Sequence, residues 1–526
     1  MKKTSMPPKE IEQLTDDPSL NIALDTIKIK KQALIFVNTK RSAEKTAEEI
    51  AKKLRIGDES LNELSEKALH AIAQPTRQCI RLSECLKKGV AFHHAGLHHK
   101  QKELIEESFR KGAIKIICST PTLAYGLDLP AFRSVLKDLK RYGHQGYQYI
   151  PVLEFLQMAG RAGRPKFDSF GEAICIASSE PEKEKIYEKF ILGEPEEISS
   201  KLAVEPVLRT YLLSLIASNL VNTKIQIMEF FEKTFWAFQF KDMEKLEAII
   251  LRMLGLLEEW KFIKSSAKED FKSANALENE SYDATLIGKR VAELYIDPLT
   301  AHHLITCLKN SSVVTVHSFS LLQIISHTLE MRPLLTVKTK EWDEVQEKLA
   351  SYENNLLEKE PTLYEEEYDE YLNSVKTALF FEEWVNEKNE EYLLEQYNIR
   401  PGETRAKLNI ADWLLYASEE LSRILEIKPM LKEILKLRFR LKYGVKEELL
   451  PLMKLKHIGR ARGRMLFNNG IKDIADVKKA DLTALTQILG SNTAIDIKKQ
   501  VGEDFEKMKV KENKRKGQIS LADWGE

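Results

Sequence analysis

The run Gln157-Met158-Ala159-Gly160-Arg161-Ala162-Gly163-Arg164-Pro165 decides how this chain of 526 residues is read. Two arginines three positions apart present planar, always-charged forks that match the oxygens of a phosphate. Gly160 and Gly163 let the backbone turn closely past a ligand. On its own the run also fits an ordinary basic loop, so its neighbours matter. Upstream, Ser119-Thr120-Pro121-Thr122-Leu123-Ala124-Tyr125-Gly126-Leu127-Asp128-Leu129-Pro130 follows directly on an apolar run at 114–118. A loop at the carboxyl end of a parallel strand is where α/β sheets hold ligands. The hydroxyls of Ser119, Thr120 and Thr122 suit a phosphate and Gly126 permits close approach; a Thr/Pro-rich turn is the plain alternative.

Working outward, short β-rich runs alternate with helical patterns from residue 32 to about 180, with strands predicted over 33–38, 89–93, 114–118, 134–137 and 172–177. Between the first two, a helix is predicted over 42–54 with Ser42 as its N-cap and Ala43, Ala47, Ile50 and Leu54 on one stripe. This alternation predicts an α/β domain with a parallel sheet. After Pro206 helical periodicity takes over. Residues 208–260 read as three helices, followed by a polar stretch over 265–282 and a return at 284–295, the outline of a winged helix. Pro298 opens a further helical region.

Lysine plus arginine and aspartate plus glutamate each total 80, so the chain is neither a polycation nor an acidic tail. The zero conceals polarity: residues 341–390 carry 16 acidic and 4 basic side chains, whereas 431–470 carry 11 basic and 3 acidic. The first face should repel nucleic acid and the second attract it. Cys79, Cys85, Cys118, Cys175 and Cys307 are widely spaced without a CxxC pair, which argues against a disulfide framework and a structural zinc site, and fits a reducing cytoplasm. His93, His94, His98 and His99 cluster with no cysteine nearby, so strand-end packing and a helix start are expected there rather than a metal. No apolar run approaches the ~20 residues of a membrane span.

Together with Phe36-Val37-Asn38-Thr39-Lys40-Arg41 and His93-His94-Ala95-Gly96-Leu97, these segments resemble the second motor domain of superfamily-two helicases, in the family's order. The continuation through Asp138-Leu139-Lys140-Arg141-Tyr142 and Ile150-Pro151-Val152-Leu153-Glu154-Phe155 resembles the archaeal Hel-type, Ski-like DNA helicases related to the helicase domain of polymerase theta. The resemblance covers nearly the whole chain. It implies a linker (1–30), a second RecA-like motor domain (31–200), a winged helix (201–297), a helical ratchet domain (298–430), a helix-hairpin-helix domain (431–505) and a flexible tail (506–526).

By that resemblance Gln157, Arg161 and Arg164 face the nucleotide, with Arg164 as arginine finger. Gly126, Asp128, Gly160 and Gly163 line the same nucleotide, although the family pattern has asparagine where this chain has Asp128. Thr39, Arg41, Thr120 and Thr122 touch the DNA backbone, and the segment 140–149 corresponds to a strand-separating hairpin with Tyr142, Tyr147 and Tyr149 as wedges. Asp412-Trp413-Leu414-Leu415-Tyr416-Ala417 matches the ratchet helix, where Trp413 stacks on a base. Arg405, eight residues earlier and about 80° round the helix, is grouped with it, although Ala406 holds the better stacking position. Leu455-Lys456-His457-Ile458-Gly459-Arg460-Ala461-Arg462-Gly463-Arg464-Met465-Leu466 matches a helix-hairpin-helix in which Gly459, Arg460, Arg462 and Arg464 hold phosphate, and a weaker hairpin lies at Leu489-Gly490-Ser491. Gln518, Leu521 and Trp524 sit at the spacing of a sliding-clamp box, with Gly525 at one aromatic position.

The sequence contains no GxxxxGK[ST] and no DExH-type acidic box. The expectation is the carboxyl-terminal portion of an ATP-dependent 3′ to 5′ DNA helicase acting on forked or single-stranded DNA in repair or replication restart. ATP and Mg²⁺ then enter only with a P-loop domain supplied in trans or in a longer chain. The alternative is a non-enzymatic DNA-binding remnant of such a helicase.

Overall fold

Strands of four residues with almost no exposed position build the central sheet: β1 (Ala33–Phe36), β2 (Val90–His93), β3 (Ile116–Ser119) and β4 (Arg133–Leu136) are buried throughout. The hairpin strands β5 (Lys140–Gly143) and β6 (Gly146–Tyr149) stand apart, and β7 (Glu172–Cys175) closes one edge. The five sheet strands run in the order β2-β3-β1-β4-β7, all parallel, with Ala33 opposite both Ile116 and Arg133. Runs such as Ala-Leu-Ile-Phe and Ile-Ile-Cys-Ser are apolar on both faces because helices cover both sides of a parallel sheet. A computed structural model describes residues 10–502 apart from 55–58, 73, 126, 144–145, 165–167, 203, 267–280 and 313–315.

Predicted and observed strand bounds differ by one or two residues: Val37, Asn38, Ile176 and Ala177 lie outside the ladder, whereas Ser119 and Arg133 belong to it. The first helix after β1 is Lys40–Lys53, and its cap is Thr39 rather than Ser42: the Thr39 hydroxyl accepts the Ser42 N–H at 3.0 Å. Residues expected as linker contain a helix, Pro18–Lys28, capped by Asp17, with Leu20, Ile22 and Ala23 in the sheet's core. Arg133, fully buried in β4, pins that helix to the sheet through Asp25 at 2.6 Å and Glu172 at 2.5 Å.

The chain divides into two compact units, one of Met1–Leu208, Ile225–Ile250 and Asn389–Lys407, the other of Arg209–Lys224, Leu251–Lys388 and Leu408–Glu526. In the first, the stretch at 389–407 packs on the loop that follows β2 although it is distant in sequence. Gly402 N–H donates to the Gly96 carbonyl at 3.1 Å, and a Cβ on Gly402 would lie 2.3 Å from the Leu97 oxygen.

The region expected as three helices contains four: Glu205–Ala217, Lys224–Glu232, Phe235–Phe240 and Met243–Glu259. The extra six-residue helix starts at the Thr234 cap and stops at Lys241, whose φ of 53° ends it. A short antiparallel pair, β8 (Ile263–Ser265) with β9 (Tyr282–Ala284), follows. The second unit is otherwise helical; its helix Ser318–Ser326 is buried from Phe319 onward and lies against Tyr368–Val385. A separate core from Val445 to Ile497 packs the last four helices, Arg460–Asn468, Ile474–Lys479, Leu482–Leu489 and Ser491–Gln500. Among the described residues no helix is long and apolar enough to cross a membrane.

Candidate functional site

The carboxyl ends of β1, β2 and β3 open into a cleft of about 760 Å³ lined by Asn38, Thr39, Arg41, Thr120, Thr122 and Arg400, among others. The strand ends fix its donors. Thr39 leaves β1 to cap the next helix, and Thr120 leaves β3 with its hydroxyl 2.9 Å from that of Thr122. Arg41 is exposed and makes no ion pair among the described residues, so its fork is available to an anion. The other cations of the cleft are engaged: Lys40 by Glu403, Arg141 by Glu154 at 2.9 Å, and Arg400 by Glu44 at 3.1 Å. Thr39, Arg41, Thr120 and Thr122 are thus brought together.

Behind the cleft lies a buried charge cluster. Glu44 bonds His94 at 3.1 Å, Arg81 at 2.6 Å and Arg400 at 3.1 Å. Burial works against its ionisation, but the His94 hydrogen bond and the charges of Arg400, His94 and Arg81 hold the carboxyl at about 2. Burial also pushes the His94 imidazole down. His93 pairs instead with Glu106 at 3.1 Å. His98 caps the helix His99–Arg110, and burial, then the nearby charges of His99, Lys100 and Arg405, lower it to about 4. The four histidines therefore serve strand-end and cap positions and converge on no common point. Glu44, Arg81 and Arg400 were not legible as a site, because 356 positions separate Glu44 from Arg400.

The arginine run occupies the opposite edge of the same sheet. Gln32, directly before β1, accepts from Arg164 at 2.7 Å, and Ala131, just before β4, exchanges backbone bonds with Arg161 and Gly163. Arg164 turns its fork on Asp168, Nε to Oδ2 at 2.7 Å and Nη2 to Oδ1 at 3.2 Å. That arginine first, against burial and with help from Lys31, holds the Asp168 carboxyl at about 2. Arg161 is less committed: one nitrogen donates to the Ala124 carbonyl at 2.5 Å, and the exposed Asp128 lies 3.9 Å from another. Gln157, on helix Val152–Ala159, keeps a buried Oε1 with no hydrogen-bond partner, an acceptor without a use inside the described fold. Gly163, at φ 94°, spends its freedom on a neighbouring chain segment: a Cβ on Gly171 would lie 2.2 Å from its nitrogen. Gly160 packs under the Leu156 carbonyl, and Gly126 lies outside the described residues.

The hairpin β5–β6 sets Tyr142 directly opposite Tyr147, with both residues 67% exposed or more. Tyr149 does not join them; it packs edge-on against Phe190 under the Lys140 ammonium. In the helical unit, the Trp413 indole N–H is fixed to the Leu294 carbonyl at 3.0 Å and the ring is half-buried. Arg405 lies earlier on the same helix, Pro401–Ile424, and is exposed.

In the last core, Gly459 caps helix Arg460–Asn468. The three arginines that follow differ. Arg464 is spent within the fold, bidentate on Glu387 at 2.8 and 2.5 Å and 2.7 Å from Glu448. Arg460 lies over the Trp384 ring and bonds the Lys388 carbonyl. Arg462 is exposed, with one bond to the His457 carbonyl at 2.8 Å. Only a single glycine, Gly490, parts helices Leu482–Leu489 and Ser491–Gln500. Gln518, Leu521 and Trp524 lie outside the described residues.

Residues 59–166 match the model described as helicase conserved C-terminal domain, and 319–444 match archaeal helicase, domain 4. The ATP-dependent DNA helicase Hel308 of Pyrococcus horikoshii is 37% identical over 503 residues, covering 95% of this chain and 67% of the relative. Its namesake from Methanococcus vannielii is 36% identical, with 90% and 66% covered, and that of Caldivirga maquilingensis 33% identical, with 95% and 68% covered. The chain belongs to the archaeal Hel308 family of superfamily-two helicases.

Proposed function

We propose that this chain forms the second motor domain and the DNA-gripping helical region of an ATP-dependent 3′ to 5′ helicase acting on single-stranded or forked DNA in repair or replication restart. One observation carries the reading: the hydroxyls of Thr39, Thr120 and Thr122 with Arg41 gather at the carboxyl edge of the sheet, while the backbone of Arg161 and the fork of Arg164 meet residues just before β4 and β1 at the other edge. Thr39, Arg41, Thr120 and Thr122 take the DNA backbone, and Tyr142 and Tyr147 part the duplex. β8, β9 and the helices before them act as a winged helix, Trp413 stacks on a base, and the glycine-capped helix at Arg460 with Arg462 forms a helix-hairpin-helix contact to phosphate. Gln157 and Arg161, with their uncommitted oxygen and nitrogens, face the nucleotide.

The lysine, hydroxyl and acidic box that hold ATP and Mg²⁺ have no counterpart in these residues, so hydrolysis requires a P-loop domain from another segment or polypeptide. A non-enzymatic DNA-binding role has one observation in its favour: Arg164 is closed on Asp168 and Gln32 rather than held free as a finger. Mixing the chain with the purified first motor domain of a Hel308 relative and following single-stranded-DNA-stimulated ATP hydrolysis separates the two. The helicase reading expects turnover in the mixture that Arg161→Ala abolishes. No turnover in the mixture, with DNA still bound, sinks it in favour of the binding role.

A further inference from the structure

The helical unit brings together two histidines and a carboxylate that the motor reading leaves unused. His303 lies on helix Pro298–Lys309, His327 caps the end of Ser318–Ser326, and Glu358 follows the turn Glu353–Asn355. One ligand atom from each lies within 4.8 Å of the others. His327 Nδ1 is 2.7 Å, and His303 Nδ1 3.8 Å, from the same oxygen, Glu358 Oε1. The other nitrogen of His303 is 3.1 Å from the Ile324 carbonyl, which can only accept. That contact makes Nε2 the donor and leaves the Nδ1 lone pair facing the carboxylate. A lone pair and an anion that face one another call for a proton or a cation between them.

The surroundings are those of a ligand set. Gln323 donates to the second carboxylate oxygen, Glu358 Oε2, at 2.6 Å, as outer partners orient metal-bound carboxylates. Cys307 Sγ, one helical turn after His303, lies 3.8 Å from His303 Nδ1. The Tyr371 ring packs against His327, and its fully buried hydroxyl has no hydrogen-bond partner among the described residues. Zinc bonds of 2.0–2.1 Å at a tetrahedral angle put neighbouring ligand atoms about 3.3 Å apart. The observed 2.7 and 3.8 Å straddle that value, and all three ligand atoms lie within 4.8 Å of one another. We infer that His303, His327 and Glu358 form a binding site for a zinc-type divalent cation that staples the two helices to the segment at Glu358. Two imidazoles with one carboxylate are a donor set that suits zinc better than magnesium or calcium.

The test uses the whole chain, stripped with a chelator, equilibrated with Zn²⁺ and assayed for metal by mass spectrometry after gel filtration. One zinc per chain is expected, lost in His303→Gln and in Glu358→Gln, and kept in a control at the exposed His70, His70→Gln. Gln323→Leu should weaken zinc binding by about 10- to 100-fold, the usual worth of an outer partner. Wild-type protein that emerges zinc-free, or zinc held equally by His303→Gln and Glu358→Gln, overturns the assignment. Because either variant could fail to fold, the wild-type chain is also loaded with Co²⁺: visible d–d absorption of a low-coordinate site supports the proposal, and a featureless spectrum overturns it.

Discussion

Glu44→Gln removes the one carboxylate on which Arg81, His94 and Arg400 converge. The Glu44 side chain is only 3% exposed, so the charges left behind are poorly reached by water. Its carboxyl stands at about 2 against an ordinary 4.5. That gap corresponds to about 3 kcal/mol of linked stability, in line with about 3–5 kcal/mol for breaking a buried pair. The sign is that of a depressed carboxylate: the contribution is fully present above pH 4.5 and is lost as pH falls through about 2. What depends on it is the docking of residues 389–407, through Arg400 and the Gly402 N–H bond to Gly96. Hydrogen exchange at neutral pH reads this directly, since local opening follows local free energy. Amides around Gly402 should exchange on the order of a hundredfold faster in the variant, with the interior of the sheet unchanged. Acceleration by less than about threefold, under 1 kcal/mol, would mean that the backbone bond and glycine packing hold the segment without the carboxylate.

Arg164→Ala strands Asp168, whose side chain is 1% exposed, beside Lys31 alone; the motor domain should melt on the order of 10 °C lower, and an unchanged transition by calorimetry would refute a structural role for the pair. Tyr142→Ala and Tyr147→Ala, at exposed hairpin positions, should leave the melting temperature unchanged while fork unwinding by the reconstituted motor falls, and equal unwinding would remove them as wedges. Arg462→Ala should weaken DNA binding evenly across sequences and lower the salt slope by about one. Arg464→Ala should instead loosen the last core, seen as lost near-ultraviolet dichroism, because its fork holds Glu387 and Glu448.

Much of this was legible in the sequence because parallel strands buried on both faces read as short apolar runs, and because motif residues sit at strand ends that those runs locate. The strand-end positions of Thr39 and Thr120 follow from local pattern, whereas the hairpin with Tyr142 and Tyr147 came from the family resemblance. What was not legible depends on partners far along the chain. Nothing near Arg464 says that Glu387, 77 residues away, will claim it, and nothing near Arg133 announces Asp25. Gly163 reads as a phosphate turn, yet its freedom is used against Gly171, which only the three-dimensional path reveals. The helix at Pro18–Lys28 was missed because its short apolar stripe, Leu20, Ile22 and Ala23, gains meaning only against a sheet. His303, His327 and Glu358 carry no motif spacing; packing alone brings them together.

The most direct test of the central claim is a hydrogen-exchange footprint of oligothymidylate on the whole chain. Protection is expected at residues 38–41 and 120–125, around the cleft at the carboxyl ends of the strands, with 160–164 at the opposite edge unaffected. Protection of 160–164 in place of the cleft, or none at either edge with DNA bound, would contradict it.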